Sequence, residues 1–391
     1  MTQSYSESAP SDGSAAASAS QCSEPPLCVD LDGTLLRTDV FVEGLVELVG
    51  RRPWDLLLAP LWLLRGRAHF KHEVASRATI DPAALPYHQP LLACLAEYRA
   101  AGRKLLLVTG ANERNADRIA QHLGIFDQVI SGDRLARMTG RQKRDRLVNE
   151  FGAAGFDYIG NSRADLPVWR AARSALLVNC PATIARRARE GNNVVREFYD
   201  RPAAWPAWLG MSPISEWLAN LLVFVPLVFA SHVDAERLSR TFVAFLSLNC
   251  LALAVGIAAD LLAVASHRRD ELRRARPFAA GHLDLAHGFV AAFVAGFFGI
   301  GLAALVGIPV AAAVVVVAAL AAVARYVAER APGWETAATT AVNVARVATG
   351  AIACDVVVSK PSAIVAVAAG LAASILGAVV GRRAAARRAG R

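Results

Sequence analysis

The chain has 391 residues, 54% of them hydrophobic, with a formal charge of +9; that is too long for one ordinary domain, so two are expected. Much of the arginine excess sits beside long uncharged Ala/Val/Leu runs in the second half, which points to basic loops flanking membrane segments and away from a nucleic-acid partner. Six cysteines (Cys22, Cys28, Cys94, Cys180, Cys250 and Cys354) are scattered without C-x-x-C or metal-ligand spacing, so they read as reduced thiols in a cytosolic or membrane-embedded setting.

In chain order, residues 1–26 are rich in Ser and Ala and lack the basic and apolar regions of a signal peptide, and a disordered tail is expected there. Next comes Cys28-Val-Asp30-Leu-Asp32-Gly-Thr34-Leu-Leu36. Alternation along a strand end puts Asp30 and Asp32 on one side, and two carboxylates that close repel unless a cation such as Mg²⁺ lies between them. A surface turn around Asp-Gly is the competing reading. Residues of about 38–98 form a long insertion of helical pattern, with Phe41, Leu45 and Leu48 on one face. Within it Trp54–Leu64 is almost wholly apolar and too short to span a bilayer; a buried helix of a cap is expected. The alternative is a segment resting on a membrane surface, which Arg51, Arg52, Arg65 and Arg67 on its flanks would suit.

From Arg103 strand and helix patterns alternate: strands at Lys104–Val108, Gln128–Ser131, Tyr158–Gly160 and Ala175–Asn179, helices at Asn112–Leu123, Arg141–Phe151 and Ala164–Ala172. Such alternation predicts a parallel sheet covered on both faces, with ligands beyond the carboxyl ends of the strands. Asp30, Asp32, Thr109 and the Gly160–Asp165 loop all fall at those ends.

Asp30-Leu-Asp32-Gly-Thr34, Val108-Thr109-Gly110, Lys143 and Gly160-Asn161-Ser-Arg-Ala-Asp165 resemble, in order, the four motifs of haloacid-dehalogenase-type phosphatases, and the helical insertion resembles the cap of the phosphoserine-phosphatase branch. The resemblance covers about residues 28–188. It implies an α/β Rossmann-like three-layer hydrolase domain with a helical cap. It also implies Asp30 as nucleophile forming an aspartyl-phosphate, Asp32 as general acid and base, Thr109, Gly110 and Lys143 as phosphate-binding residues, and Mg²⁺ held by Asp30, Asp32, Asn161 and Asp165. Asn161 stands where the family commonly has an aspartate, so Asp165 must supply most of that loop's charge.

Residues 191–211 read as a linker between a domain at 27–190 and an all-α polytopic membrane domain at 212–391. Six spans are expected there: Ile214–Ala230, Thr241–Ala263, Leu285–Val306, Ile308–Val327, Thr336–Val358 and Ala363–Val380. The arginines at 268–276 and at the C-terminus place both termini, and the N-terminal domain, in the cytoplasm of an inner or plasma membrane. Asp260 through Arg268-Arg269-Asp270, followed by Arg276-Pro277-Phe-Ala-Ala-Gly281, resembles the signature loop of UbiA-type prenyltransferases, and Trp217 to Pro226 resembles that family's first span. In that family clustered aspartates bind Mg²⁺ and a diphosphate. Here Ala259, Ala263 and His267 occupy acidic or amide positions, leaving Asp260 and Arg276, with Glu335 alone for the second cluster, as a degenerate transferase site.

Together these resemblances imply a membrane-bound protein carrying a Mg²⁺-dependent phosphatase that acts on a polyprenyl-linked or isoprenoid phosphate. The membrane half is either a prenyl or phosphoribosyl transferase or a lipid-binding anchor without turnover.

Overall fold

A computed structural model describes residues 24–132, 138–191, 193–211, 214–230, 232–330 and 334–356, with 368, 370–372 and 374 beyond them. Most of the expected N-terminal tail and nearly all of the expected span Ala363–Val380 lie outside the described residues.

Six parallel strands form one sheet in the order β3-β2-β1-β4-β5-β6, where β1 is Leu27–Val29, β2 Leu105–Asn112, β3 Gln128–Gly132, β4 Asp157–Gly160, β5 Ser174–Val178 and β6 Val194–Phe198. The first strand is central because it is apolar on both faces: Leu27, Cys28 and Val29 are wholly buried. Leu27 pairs with Leu105 on one side and Asp157 on the other. Strands β1 to β5 fall where apolar runs predict them, whereas β6 lies within the stretch that reads as a linker. It is an edge strand, with Val195, Arg196 and Glu197 largely outside the core.

Helices cover both faces. In the insertion after β1 they are α1 (Val40–Arg51), α2 (Ala59–Leu64), α3 (Arg67–Arg77) and α4 (Gln89–Ala100), with 3-10 turns at Pro53–Leu58 and Pro82–Ala84. Then come α5 (Glu113–Leu123), α6 (Gly140–Phe151), α7 (Leu166–Trp169) and α8 (Ala182–Gly191). One face of the sheet packs Leu27, Val29, Leu105 and Leu107 with Leu91, Leu95, Ala116 and Ile119 from α4 and α5. The other packs Cys28, Leu106, Val108 and Tyr158 with Leu147, Val168 and Trp169 from α6 and α7. This is the three-layer arrangement the strand–helix alternation implies.

One expectation for the insertion fails. In Pro53–Leu64 Trp62 alone is buried, against Leu48 and Val74, while Trp54, Leu57, Leu58, Leu61, Leu63 and Leu64 are exposed. The run is apolar because its outer surface is apolar, not because the protein encloses it.

The helical half contains α9 (Ala204–Leu209), α10 (Ile214–Asn220) continuing into a 3-10 stretch at Leu221–Phe229, α11 (Ala235–Leu262), α12 (Val264–Arg269), α13 (Leu285–Val306), α14 (Ile308–Arg330) and α15 (Glu335–Ala353). Among the described residues four stretches are long and apolar enough to cross a membrane: Ala204–Phe229, Ala235–Leu262, Leu285–Val306 and Ile308–Ala328. They associate this half with a membrane. Val290, Phe293, Phe297 and Phe298 of α13 face outward, as a lipid-facing surface requires. The expected fifth span corresponds to α15, which packs on α14 and on Leu221–Phe229 but turns polar groups inward. Arg346 donates to Asn343 Oδ1 at 2.6 Å and to Glu216 Oε2 at 2.7 Å. These groups lower its mean hydropathy below that of a lipid-exposed span and hold it inside the bundle.

The two halves meet through the cap. Val42 and Val46 of α1 pack with Met211, Ile257, Leu261, Val264, Phe278 and Leu285 at one end of α11 and α13. Within this contact Arg268 of α12 makes a two-pronged ion pair with Glu43 at 2.7 and 2.8 Å, both side chains only 6% exposed. Arg269 meets Asp81 at 2.9 Å, and the Arg37 guanidinium reaches the Ala280 carbonyl.

Candidate active site

The carboxyl ends of β1, β2 and β4 bring Asp30, Gly110 and Asn161 to one rim, around a cavity of about 520 Å³. Asp30 follows the last residue of β1, and its N–H continues the sheet ladder to the Ile159 carbonyl at 3.0 Å. Its carboxylate accepts from Lys143 Nζ on one oxygen and from Thr34 Oγ1 at 3.3 Å on the other. Lys143 arrives from the first turn of α6, whose start is fixed by a capping box between Thr139 and Gln142. Asp32 also faces the cavity, and its Oδ1 accepts the Val40 N–H at 2.8 Å, tying it to the start of α1.

Asp165, 2% exposed, is held by four donors: Tyr158 Oη at 3.0 Å on Oδ1, and on Oδ2 the N–H groups of Asn161 and Ser162 at 3.2 and 3.0 Å and Ser162 Oγ at 2.9 Å. The carboxylate lies over the end of β4, and a Cβ on Gly160 would come within 2.7 Å of its Cγ, so only glycine fits there. Gly33 is constrained in the same way by the Asn161 amide and by its own φ of +74°.

Asp30, Asp32, Lys143, Asn161 and Asp165 thus share one cavity wall, and Gly110 lies beside them. Thr109 does not line the cavity. It is fully buried behind Gly110, and its hydroxyl oxygen accepts the Ala111 N–H at 2.9 Å. Three residues not singled out from the sequence also belong here. Tyr158 bridges the two charged groups, accepting from Lys143 Nζ at 3.4 Å while donating to Asp165. Lys71 and His72 of α3 line the cavity from the cap side. Tyr158 sits in an apolar strand and the other two in a long insertion, so only spatial neighbours distinguish them.

Burial pushes the Asp30 carboxyl up to about 6, with Lys143 pulling it down and Asp165 pushing it up. Burial, then the Asp39 carboxylate, raise Asp32 to about 7 against the Val40 N–H that favours its charged form. Lys143 is raised: burial favours its neutral form, but Asp30 and Asp165 outweigh that. Asp30 and Asp32 are therefore poised near neutrality beside the Lys143 cation.

Among the described residues no three acidic, histidine or cysteine side chains converge on a point. A metal here would lean on the Asp30 and Asp165 carboxylates together with the Asn161 amide and the Asp32 carbonyl. An all-oxygen set of that kind suits Mg²⁺, and the buried Asp30 carboxylate raised by Asp165 is the charge such an ion would relieve.

The membrane-side residues are arranged differently. Asp260 is ion-paired with Arg276, and Glu335 starts α15 on an exposed face. The loop carrying Arg276 and Gly281 abuts the cap, where a Cβ on Gly281 would lie 2.7 Å from Arg37 Cβ.

Residues 27–170 match the family model of haloacid dehalogenase-like hydrolases, so this part of the chain is similar to that family. The chain is 35% identical over 283 residues to y4nM of Sinorhizobium fredii, an uncharacterized protein; the match covers 72% of this chain and 54% of that one, so the chain spans about half the length of this relative. Among solved structures it resembles a probable phosphoserine phosphatase of Vibrio cholerae (14% identity, TM-score 0.31, 44% of this chain and 60% of that one). It also resembles a haloacid-dehalogenase-family hydrolase of Salmonella enterica serovar Typhi (15% identity, TM-score 0.30, 44% and 68%).

Proposed function

We propose that the protein is a membrane-tethered, Mg²⁺-dependent phosphomonoesterase acting on a polyprenyl-linked or isoprenoid phosphate. The observation that supports the phosphomonoesterase reading is the meeting of Asp30, Asp32, Lys143 and Asp165 around one open cavity beyond the sheet. In this reading an Asp30 oxygen attacks phosphorus and the P–O bond to the alcohol breaks. Asp32, protonated near neutrality, gives its proton to the departing oxygen. Water then attacks the aspartyl-phosphate, Asp32 takes a proton from it, and phosphate leaves with Asp30 restored. Lys143 neutralises charge gathering on the phosphoryl oxygens, and the N-terminus of α6 beside it favours an anion. Gly110 and its neighbours bring backbone close to the phosphoryl group, with Thr109 shaping that turn from behind. A Mg²⁺ ion held by Asp30, Asn161, Asp165 and the Asp32 carbonyl would supply positive charge between nucleophile and phosphate.

For the membrane half we favour descent from a UbiA-type domain without transferase turnover. Asp260 is engaged by Arg276, and the loop that would clamp a diphosphate is docked against Arg37 and Glu43 of the hydrolase half. The boundaries 27–190 and 212–391, with the first domain on the cytoplasmic side of an inner or plasma membrane, belong to this proposal. The test is phosphate release by the full chain with Mg²⁺, from p-nitrophenyl phosphate and from farnesyl phosphate in vesicles. Asp30→Asn is expected to lower both rates at least about 10³-fold; equal rates in variant and wild type would reject the mechanism.

A further inference from the structure

The cap carries an apolar surface that the hydrolase chemistry does not explain. Trp54, Leu57, Leu61 and Leu64 recur at helical spacing along Pro53–Leu64 and are 79%, 74%, 57% and 84% exposed. On the opposite side Trp62 turns inward, where it stacks at a tilt on Phe70, with Leu56 and Ala59 partly buried beside it. A contiguous apolar surface of this kind marks an interaction site. Exposed arginines bracket it, Arg51 and Arg52 before and Arg65 and Arg67 after.

Two placements say what covers this surface. The first is at its start. α1 packs Val42 and Val46 onto the end of α11 and α13, and a Cβ on Gly50 would lie 3.8 Å from the carbonyl oxygen of Leu262, the last residue of a membrane-crossing helix. Pro53 is three residues further on, at most about 10 Å of chain. The apolar segment therefore begins at the depth where a span leaves the bilayer. The second is at its end. The segment runs through Gly66 into α3, whose Ala68, Lys71 and His72 line the cavity holding Asp30. From Leu64 to Lys71 is about two helical turns.

We propose that Pro53–Leu64 lies in the interface of the bilayer that the chain itself crosses. Trp54, Leu57, Leu61 and Leu64 enter the acyl boundary, and Arg51, Arg52, Arg65 and Arg67 meet the phosphates of anionic lipids. Twelve residues are too few to span, and the flanking charges hold the segment in the surface plane. Its second consequence, which rests on the phosphatase reading above, is that α3 presents the catalytic cavity to phosphoryl groups carried on lipids at that surface.

The test uses the full chain in phosphatidylcholine–phosphatidylglycerol vesicles. The Trp54 signal, taken as wild type minus Trp54→Phe, is expected to lose at least half its intensity with lipids brominated near the headgroup and to resist aqueous iodide. Quenching by iodide instead would put the segment in water; quenching by neither would put a protein surface, such as a second copy, over it; either result overturns the proposal. The triple variant Leu57→Glu/Leu61→Glu/Leu64→Glu alters exposed positions only. It is expected to lower kcat/KM for vesicle-borne farnesyl phosphate tenfold or more while changing p-nitrophenyl phosphate hydrolysis less than twofold. Equal effects on the two substrates would overturn the substrate consequence. Absence of p-nitrophenyl phosphate hydrolysis in the wild type would instead reject the phosphatase reading, and the quenching result would still decide insertion.

Discussion

Asp30 and Asp32 differ in what surrounds them, and that difference assigns two limbs to a pH profile. In the proposed mechanism Asp30 works only as the carboxylate and is raised to about 6, while Asp32 must begin protonated and is raised to about 7. As pH falls through about 6 the nucleophile is lost, and as pH rises through about 7 the acid is lost. A bell-shaped kcat/KM for a soluble ester is therefore expected, with its maximum between those values. Because the two acids sense each other, the limbs belong to the pair. Raising Mg²⁺ should extend the acid limb downward, since a cation beside Asp30 favours its charged form. Asp32→Asn should remove the alkaline limb together with most of the activity. A profile flat from pH 5 to 8, measured by initial rates at fixed Mg²⁺, would contradict these assignments.

At the scale of elements, Asp157 ties three strands together. It opens β4, and its carboxylate takes Arg103, just before β2, and Arg173, just before β5, the latter at 2.6 and 3.0 Å. Burial raises its pKa, but the Arg173 and Arg103 contacts outweigh this and hold it below the usual carboxylate range. A depressed folded-state value means that the stabilisation is present above the unfolded pKa and is lost as pH falls through the folded one. Asp157→Asn leaves the buried Arg103 with only the exposed Glu24 carboxylate at 3.4 Å, and a cost of up to about 3 kcal/mol is expected. Hydrogen exchange of β4 and β5 amides at pH 7 should show that loss, and the gap between variant and wild type should shrink below about pH 4. An unchanged exchange rate would mean that the arginines find other partners.

The elements also show which signals a sequence carries. Leu105–Val108 and Ala175–Val178 are apolar on both faces because they lie inside the sheet, so their runs announce buried strands. Val194–Phe198 is an edge strand carrying Arg196 and Glu197, and nothing in its alternation separates it from a charged linker. Trp54–Leu64 misleads for the opposite reason: an apolar run has the same composition whether protein or lipid covers it, and what bears on the proposed lipid cover is the placement of Gly50, just before the run, against Leu262. In the site, Asp30, Asp32, Lys143 and Asp165 were legible through the order of their motifs. Tyr158, Lys71 and His72 were not, because each gains its role from a neighbour distant in the chain. The motif around Thr109 suggests a phosphate-binding residue, yet the structure buries Thr109 behind Gly110, out of the cavity, where β2 is irregular between Val108 and Asn112.

For the whole molecule the decisive contact is the buried pair Glu43–Arg268, which joins the cap to α12, just beyond the end of α11. It holds α1 against the helical half, and in the proposed arrangement it thereby sets the height of Pro53–Leu64 and of the cavity above the bilayer. Removing one partner leaves the other charge buried alone, so Glu43→Gln is expected to weaken docking of the halves by about 3 kcal/mol. Arg268→Gln added to it should recover part of that loss, giving a coupling energy of about 1–3 kcal/mol in a double-mutant cycle read by protection of α1 amides from exchange. The proposed catalytic groups all sit on the sheet half, so p-nitrophenyl phosphate hydrolysis should change less than twofold in each variant. Hydrolysis of vesicle-borne farnesyl phosphate should fall with Glu43→Gln and rise again in the double variant, because it depends on where the cavity is held. Strict additivity, or equal losses on both substrates, would mean that the two halves are joined without being coupled.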